Sequence, residues 1–378
     1  MNQNTKQYSF LIIDTYYPRF LSSLYRTYPD LANKRYVEQK NFILSQCFGT
    51  ADFYSKNLRK LGCEAEEIIP NNDILQKQWA LEHGLKTETS YFSKIMDNIP
   101  GIKRLFPELS YSLKILGEQI KTYSPDVLYI QDLSFCPPSF LLEMKKYTKL
   151  LIGQIACPLP PLDYLKPYDL ILTSFPHYVD RFKGMGIKSE YFKIGFEPSV
   201  LDKVEVAGRE YSCTFVGGIS PAHQKGTELL EEVARRVDIE FFGYGAETLD
   251  RNSPVIPRHH GQVWGLDMYR VLASSKITIN RHIDVAENYA NNMRLYEATG
   301  CGALLLTDHK DNLDELFKVG KEIVAYKNVK ELIELIQYYL SQENERKQIA
   351  EAGQDKTLNE HSYYNRMEEL IEIINRIM

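Results

Sequence analysis

The stretch Asn292-Met293-Arg294-Leu295-Tyr296-Glu297-Ala298-Thr299-Gly300-Cys301-Gly302-Ala303-Leu304-Leu305-Leu306-Thr307-Asp308 decides the fold. It reads as a helix that stops at glycine and feeds a buried parallel strand, since a short unbroken apolar run fits a strand covered on both faces. Asn292, Arg294 and Glu297 cannot all be core residues, because Arg and Glu are almost never fully buried without a partner. Arg294 and Glu297 stand three apart, so they neighbour each other on the helix surface. The helix start offers free N–H groups and the positive end of a dipole. An anion at that end, a vicinal diol on the carboxylate and a guanidinium between them describe a nucleoside diphosphate site.

Working outward, the same alternation of apolar runs and helical stretches continues in both directions. Towards the C-terminus, strands are expected at Glu322 to Tyr326 and helices at Val329 to Leu340, Glu343 to Ala352 and His361 to Ile377. Upstream, a cycle opens at Cys213-Thr214-Phe215-Val216-Gly217-Gly218 and runs through the helix Thr227 to Val237 and the strand Ile239 to Gly243. The helix Met268 to Ser274 and the strand Lys276 to Asn280 complete it. The polar stretch from Gly195 to about Glu210 lacks periodicity and reads as a linker.

Before the linker lies a similar cycle. Strands are expected at Tyr8 to Asp14, Cys63 to Ile69, Asp126 to Asp132, Lys149 to Gln154, Tyr168 to Thr173 and Glu190 to Ile194. A helical stretch runs from about Val37 to Leu61, and an irregular helical insert from about 71 to 123. Helices at Pro138 to Lys146 and His177 to Gly184 follow. Alternating apolar strands and helices indicate an α/β chain: two Rossmann-like domains, each with a parallel sheet covered on both faces. In such folds ligands bind outside the carboxyl ends of the strands, here in the cleft where the two sheets face each other.

Composition narrows the partners. At 378 residues the chain is too long for one ordinary core and suits two domains. A formal net charge of −5 gives no overall attraction to nucleic acid or anionic lipid, so no nucleic-acid partner is expected and membrane contact is at most peripheral. Lys103-Arg104 beside Leu105-Phe106 is the one place for such contact, although a solvated face explains it as well. Six scattered cysteines lack metal or disulfide spacing, and Met1 to Gln7 lacks the layout of a signal peptide, so a cytoplasmic location is expected. His259-His260 is no metal pair, since adjacent residues do not share a helix face and no third ligand has suitable spacing. No metal or resident cofactor is expected.

The second half resembles GT-B glycosyltransferases, and within them the spore-maturation-protein (CgeB-like) group. The Asn292-x-Arg294-x-x-Glu297 pattern followed by Gly300-x-Gly302 carries the resemblance. Phe215-Val216-Gly217-Gly218, Phe242-Gly243-Tyr244-Gly245, His260-Gly261-Gln262-Val263 and His361 to Arg366 follow the family's order. The resemblance is specific over about Cys213 to Arg366, and looser over Asp126 to Pro198. It implies a GT-B fold with an acceptor domain at 1–198, a nucleotide-sugar donor domain at 209–360, and a last helix, 361–378, that crosses back to the first domain. It implies hexosyl transfer from a nucleotide-diphosphate sugar to a glycan, lipid-linked or protein hydroxyl, without metal and with retention. Tyr289 stands where many retaining members carry the first of two glutamates eight apart, and Glu287 lies two residues out of register.

The resemblance assigns roles to residues that also have plainer readings. Glu297 would accept hydrogen bonds from the ribose hydroxyls, or only pair with Arg294. Arg294 would offset charge on the departing diphosphate. Asn291 and Asn292 sit where the helix begins, suited to capping or to a phosphate contact. Gly217 and Gly218 permit close approach of the backbone to a ligand. Lys225 and Arg281 are candidate phosphate ligands, and the loops Phe242 to Gly245 and His260-Gly261 to Val263 would flank the nucleobase. A general base, where one is needed, would come from Asp14, Asp132 or His177 at strand ends and a helix start of the first half, with Asp132 best placed. Two other readings stand beside a transferase. One is a sugar-nucleotide epimerase or hydrolase of the same shape, which turns over donor without acceptor. The other is a binding protein that releases no nucleoside diphosphate.

Overall fold

A computed structural model describes residues 7–85, 111–219 and 224–378. Lys103, Arg104, Leu105 and Phe106 therefore lie outside the described residues. The chain divides into two compact units: Met1–Thr173 with Tyr178–Tyr191, and Ser174–His177 with Phe192–Met378.

The first unit is built on six parallel strands: β1 (Ser9–Ile13), β2 (Glu64–Ile68), β3 (Val127–Ile130), β4 (Leu150–Gln154), β5 (Leu170–Thr173) and β6 (Ser189–Tyr191). They lie in the order β2-β1-β3-β4-β5-β6. Every residue of β3 and β5 is buried, so these apolar runs are strands packed on both faces. β1 turns to β2 on one side while β3 lies on the other, which places the switch in strand order between β1 and β3.

The expected single helix from Val37 to Leu61 is two helices, Tyr36–Ser45 and Phe53–Lys60. Between them Cys47, Gly49 and Ala51 all adopt left-handed backbone, which no α-helix tolerates. The segment after Asp14 contains a further helix, Pro18–Thr27, with proline at its start. Asp73–Glu82 and Tyr111–Tyr123 are the described helices of the insert.

The second unit holds five parallel strands: β7 (Tyr211–Val216), β8 (Glu240–Phe242), β9 (Ser275–Asn280), β10 (Leu304–Asp308) and β11 (Val324–Tyr326). Their order is β11-β10-β9-β7-β8, so the switch falls between β7 and β9. Leu304, Leu306, Ile277 and Ile279 form the centre of a core closed by Leu332 and Ile336 from the helix Val329–Ser341.

Two boundaries differ from the sequence expectation. Residues from Phe192 onward pack in the second unit, ahead of the expected boundary at 198. Phe196 N–H donates to the His361 carbonyl and Phe196 O accepts from Tyr363 N–H, both at 2.9 Å. The helix expected to end at Ala352 continues to Glu360, through Gly353. A side chain on Gly353 would overlap the Glu322 carbonyl, so glycine here serves close packing and does not end the helix. Among the described residues, no helix is long and apolar enough to cross a membrane.

Candidate functional site

At the switch of the second sheet, β7 runs into Gly217-Gly218 and β9 into Arg281. The β7–β8 pairing continues past the strands, with Gly217 N–H donating to Phe242 O at 2.9 Å and Ile219 N–H to Tyr244 O at 2.8 Å. Side chains at Gly243 or Gly245 would overlap the Gly217 and Ile219 carbonyls, and both glycines are left-handed. Gly261, also left-handed, accepts the Gly243 N–H at 2.8 Å, which closes the next loop onto the same edge. His260 stacks on Phe242, with centroids 4.9 Å apart, and bonds Glu240 at 2.6 Å. The carboxyl edge is thus closely packed glycine backbone, half-buried at Gly217 and Gly218.

The helix of the deciding stretch spans Met293–Gly300. Asn292 caps it: its side-chain oxygen accepts from Leu295 N–H, and its amide donates to Asn280 at 2.9 Å. The buried Asn291 accepts from the Tyr296 hydroxyl at 2.9 Å. Both asparagines therefore set the helix in place. Arg294 meets Glu297 at 2.9 Å, and their side chains are only 15% and 6% exposed. The Arg294 Nε–H also donates to Val216 O at 3.1 Å, the last carbonyl before the glycine turn. Burial pushes the Glu297 carboxyl above its ordinary range, and the Arg294 charge draws it back. A buried ion pair is weak reason for stability, because desolvation offsets most of its attraction.

Arg281 lies at the first turn of the helix Gln224–Arg236. A Cβ on Gly226 would overlap its guanidinium, so the absent side chain makes room for it. A cation beside the positive end of a helix is disfavoured unless an anion joins them. Among the described residues its acidic partner is Asp284, at 3.3 Å and 72% exposed. Lys225 belongs to the same turn, and its side chain lies outside the described residues.

Sequence reasoning missed a second set. The His282 Nδ1 bonds Asp308 at 2.7 Å, and Lys310 reaches both Asp308 at 3.4 Å and the Glu287 carbonyl at 2.5 Å. Burial works to raise the Asp308 carboxyl, but the His282 hydrogen bond and charge together with Lys310 hold it below the ordinary range. The set fastens the loop between Arg281 and Asn291 to the end of β10. His282 and Asp308 are 26 residues apart, so no spacing rule would join them.

Of the three candidate bases, Asp14 and Asp132 lie together at the β1/β3 switch. Asp132 accepts from Thr15 Oγ1 at 2.7 Å and from Ser134 N–H at 3.0 Å, which makes it a turn-forming residue at the β1/β3 switch. Asp14, beside it, accepts from Thr50 at 3.3 Å, and burial pushes its carboxyl up to about 7. His177, expected with them in the first half, packs in the second unit. Its Nε2 lies 3.2 Å from Val285 O and its ring stacks on Tyr289 at 5.2 Å. The short segment Ser174–His177 follows the loop 285–291 because Ser174 Oγ donates to Asn291 O at 3.2 Å. Gly217, Gly218, Arg281, Asn292, Arg294 and Glu297 by contrast surround one switch point.

Residues 224–372 match the family described as "Glycosyl transferase-like". No curated protein matches the sequence. Several solved structures have the same fold over nearly the whole chain. HepE of Anabaena, crystallised with UDP-glucose, is 10% identical with a TM-score of 0.62, spanning 98% of this chain and 100% of its own. A glycosyltransferase from Rickettsia africae is 13% identical with a TM-score of 0.58, spanning 98% of each chain. Sucrose-phosphate synthase from Thermosynechococcus elongatus is 11% identical with a TM-score of 0.58, spanning 98% of this chain and 99% of its own. The fold is GT-B: two α/β units, each on a parallel sheet.

Proposed function

We propose that the chain moves a sugar from a nucleotide-diphosphate donor to an acceptor hydroxyl. The second unit takes the donor and the first unit the acceptor, which is a glycan, a lipid-linked sugar or a protein hydroxyl. One observation carries the reading: a guanidinium rests on the start of a helix at the β7/β9 switch, leaving local positive charge for a diphosphate. The match of residues 224–372 to a glycosyltransferase-like family supports it, as does the UDP-glucose complex of HepE. The Asn292-x-Arg294-x-x-Glu297 pattern favours the CgeB-like group.

In this reading Arg281, Lys225 and the Gly217-Gly218 N–H groups hold the diphosphate. Glu297 accepts the ribose hydroxyls, and His260-Gly261 flank the base. As the bond from C1 of the sugar to the phosphate oxygen breaks, negative charge grows on the diphosphate. Arg294 offsets it from a site where burial strengthens the attraction. Two guanidiniums and a helix start make up the charge that a metal would otherwise supply, so transfer is metal-independent. The acceptor hydroxyl attacks from the face the phosphate leaves, its proton passes to the departing phosphate oxygen, and the anomeric configuration is retained.

Nucleoside diphosphate release from a panel of UDP-, dTDP-, GDP- and ADP-sugars, each mixed with glycan, lipid-linked sugar and protein acceptors, tests this, with and without chelator. Release is expected from one donor, unchanged by EDTA. Glu297→Gln should lower affinity for that nucleotide at least tenfold, since hydrogen bonds to a charged acceptor contribute about 1.5–3 kcal/mol. Absence of turnover with every donor, or equal affinity in the folded variant, removes the reading.

A further inference from the structure

The guanidinium of Arg294 is held by three atoms of different character. Its Nε–H donates to Val216 O at 3.1 Å, Nη1 faces Glu297 Oε2 at 2.9 Å, and an Nη2–H donates to Met268 Sδ at 3.4 Å. The first contact ties the group to the end of β7 and the second offsets its charge. The third has no part in the roles above. Met268 belongs to the helix Gly265–Ala273, beside Tyr269 and one turn before Leu272, both of them buried. Residues four apart share a helix face, so the thioether projects from the side that packs inward. Phe196 sets the spacing between this helix and Met293–Gly300. A Cβ on Gly300 would lie 2.6 Å from the Phe196 ring, and the same ring meets Tyr269 edge-on with centroids 6.1 Å apart. One ring against both helices keeps the sulfur within reach of Nη2.

We infer that Met268 is a positioning residue for Arg294: its sulfur aims the guanidinium without taking any of its charge. This rests on the transferase reading, in which Arg294 offsets charge on the departing diphosphate, and goes beyond it by naming what holds that charge in place. The kind of atom matters here. Glu297 already offsets one unit of charge, and a second carboxylate at position 268 would leave nothing for a phosphate. A thioether is a neutral, weak acceptor that orients an N–H and leaves the cation whole. The sulfur takes one of the two Nη2 hydrogens, and the other is the one that reaches a phosphate oxygen. Val216 O and Met268 Sδ thus grip the fork at opposite ends, so it cannot turn as the negative charge grows.

Steady-state kinetics test this with whichever sugar nucleotide and acceptor of the panel the wild type turns over fastest. Met268→Leu nearly conserves volume, which packed sites tolerate, and removes the acceptor atom. It should lower kcat about fivefold and leave KM for the donor within about twofold, because the contact counts most where charge develops. In an Arg294→Lys background, which has no Nη2, the same change should cost nothing further, since two changes acting through one contact are not additive. An unchanged kcat in Met268→Leu overturns the positioning role. So does a loss that recurs in full in the Arg294→Lys background, which would assign Met268 to packing alone. A change confined to KM overturns it too, because the contact would then serve ground-state binding. A wild type that turns over no donor with any acceptor overturns the transferase reading itself, and the inference with it.

Discussion

At the switch of the first sheet, β1 and β3 lead into Asp14 and Asp132; at that of the second, β7 and β9 lead into Gly217-Gly218 and Arg281. The two units share a parallel architecture and a reversal of strand order, and so offer the same kind of crevice. The chemistry lining them is opposite. The first holds carboxylates buttressed by Thr15 and Thr50, and the second a guanidinium at a helix start with a buried Arg–Glu pair beside it. One edge presents carboxylates and the other a cation. Topology builds the crevice, and the residues one or two steps past each strand end set its chemistry.

The turns at the two edges differ in room as well, and this gives the largest expected effect. Gly245→Ala must place a methyl against the Ile219 carbonyl, backbone against backbone, at a left-handed φ of 95°. A loss of about 3 kcal/mol in denaturant unfolding is expected. Gly49→Ala beside Asp14 meets nothing nearer than 3.9 Å and bears only the left-handed strain, about 1 kcal/mol. Equal losses would mean that the second edge is no tighter than the first.

Charge gives the next effect. Arg281→Glu should weaken nucleoside diphosphate binding about a hundredfold, as a charge-assisted contact is replaced by repulsion. Asp14→Asn should leave that affinity unchanged. Calorimetry on both variants decides it, and a loss in Asp14→Asn would erase the division of labour.

Per pH unit, the smallest effect is a pair of opposed pH dependences. The Asp14 carboxyl sits at about 7 in the folded chain against 3.8 ordinarily, so the folded state holds its proton more tightly. Its contribution to stability is full below pH 3.8 and is lost as pH rises through 7. In the second unit, burial lowers His361 to about 4 from 6.5, with its ring bonded to Leu316 O at 2.8 Å. That contribution is full above pH 6.5 and is lost as pH falls through 4. Inside either window the slope reaches at most about 1.4 kcal/mol per pH unit. Denaturation midpoints of Asp14→Asn should lose the alkaline decline, and those of His361→Gln the acid one. Variant curves parallel to the wild type would contradict the assignments.

Much of this was readable from the chain alone. Apolar runs such as Leu304-Leu305-Leu306 and Val127-Leu128-Tyr129-Ile130 specify buried parallel strands, because only a sheet covered on both faces takes such runs without a polar side. The Arg294–Glu297 spacing marks a helix-face pair, and the glycines after β7 mark a close backbone approach, since both rest on local geometry. Packing at a distance decided the rest. Gly353 stands just past an expected helix end, yet the Glu322 carbonyl packs against it and the helix runs on; Cys47 and Ala51 lie in a helical pattern, yet their backbone is left-handed. Residues 26 or more apart in sequence supply the joins of the site: His282 to Asp308, Gly226 to Arg281 and Gly218 to Tyr244. Periodicity and spacing report what a residue does within its own turn or strand. Which strand end lies next to which depends on the crossovers of the sheet, and that was settled only when the chain folded.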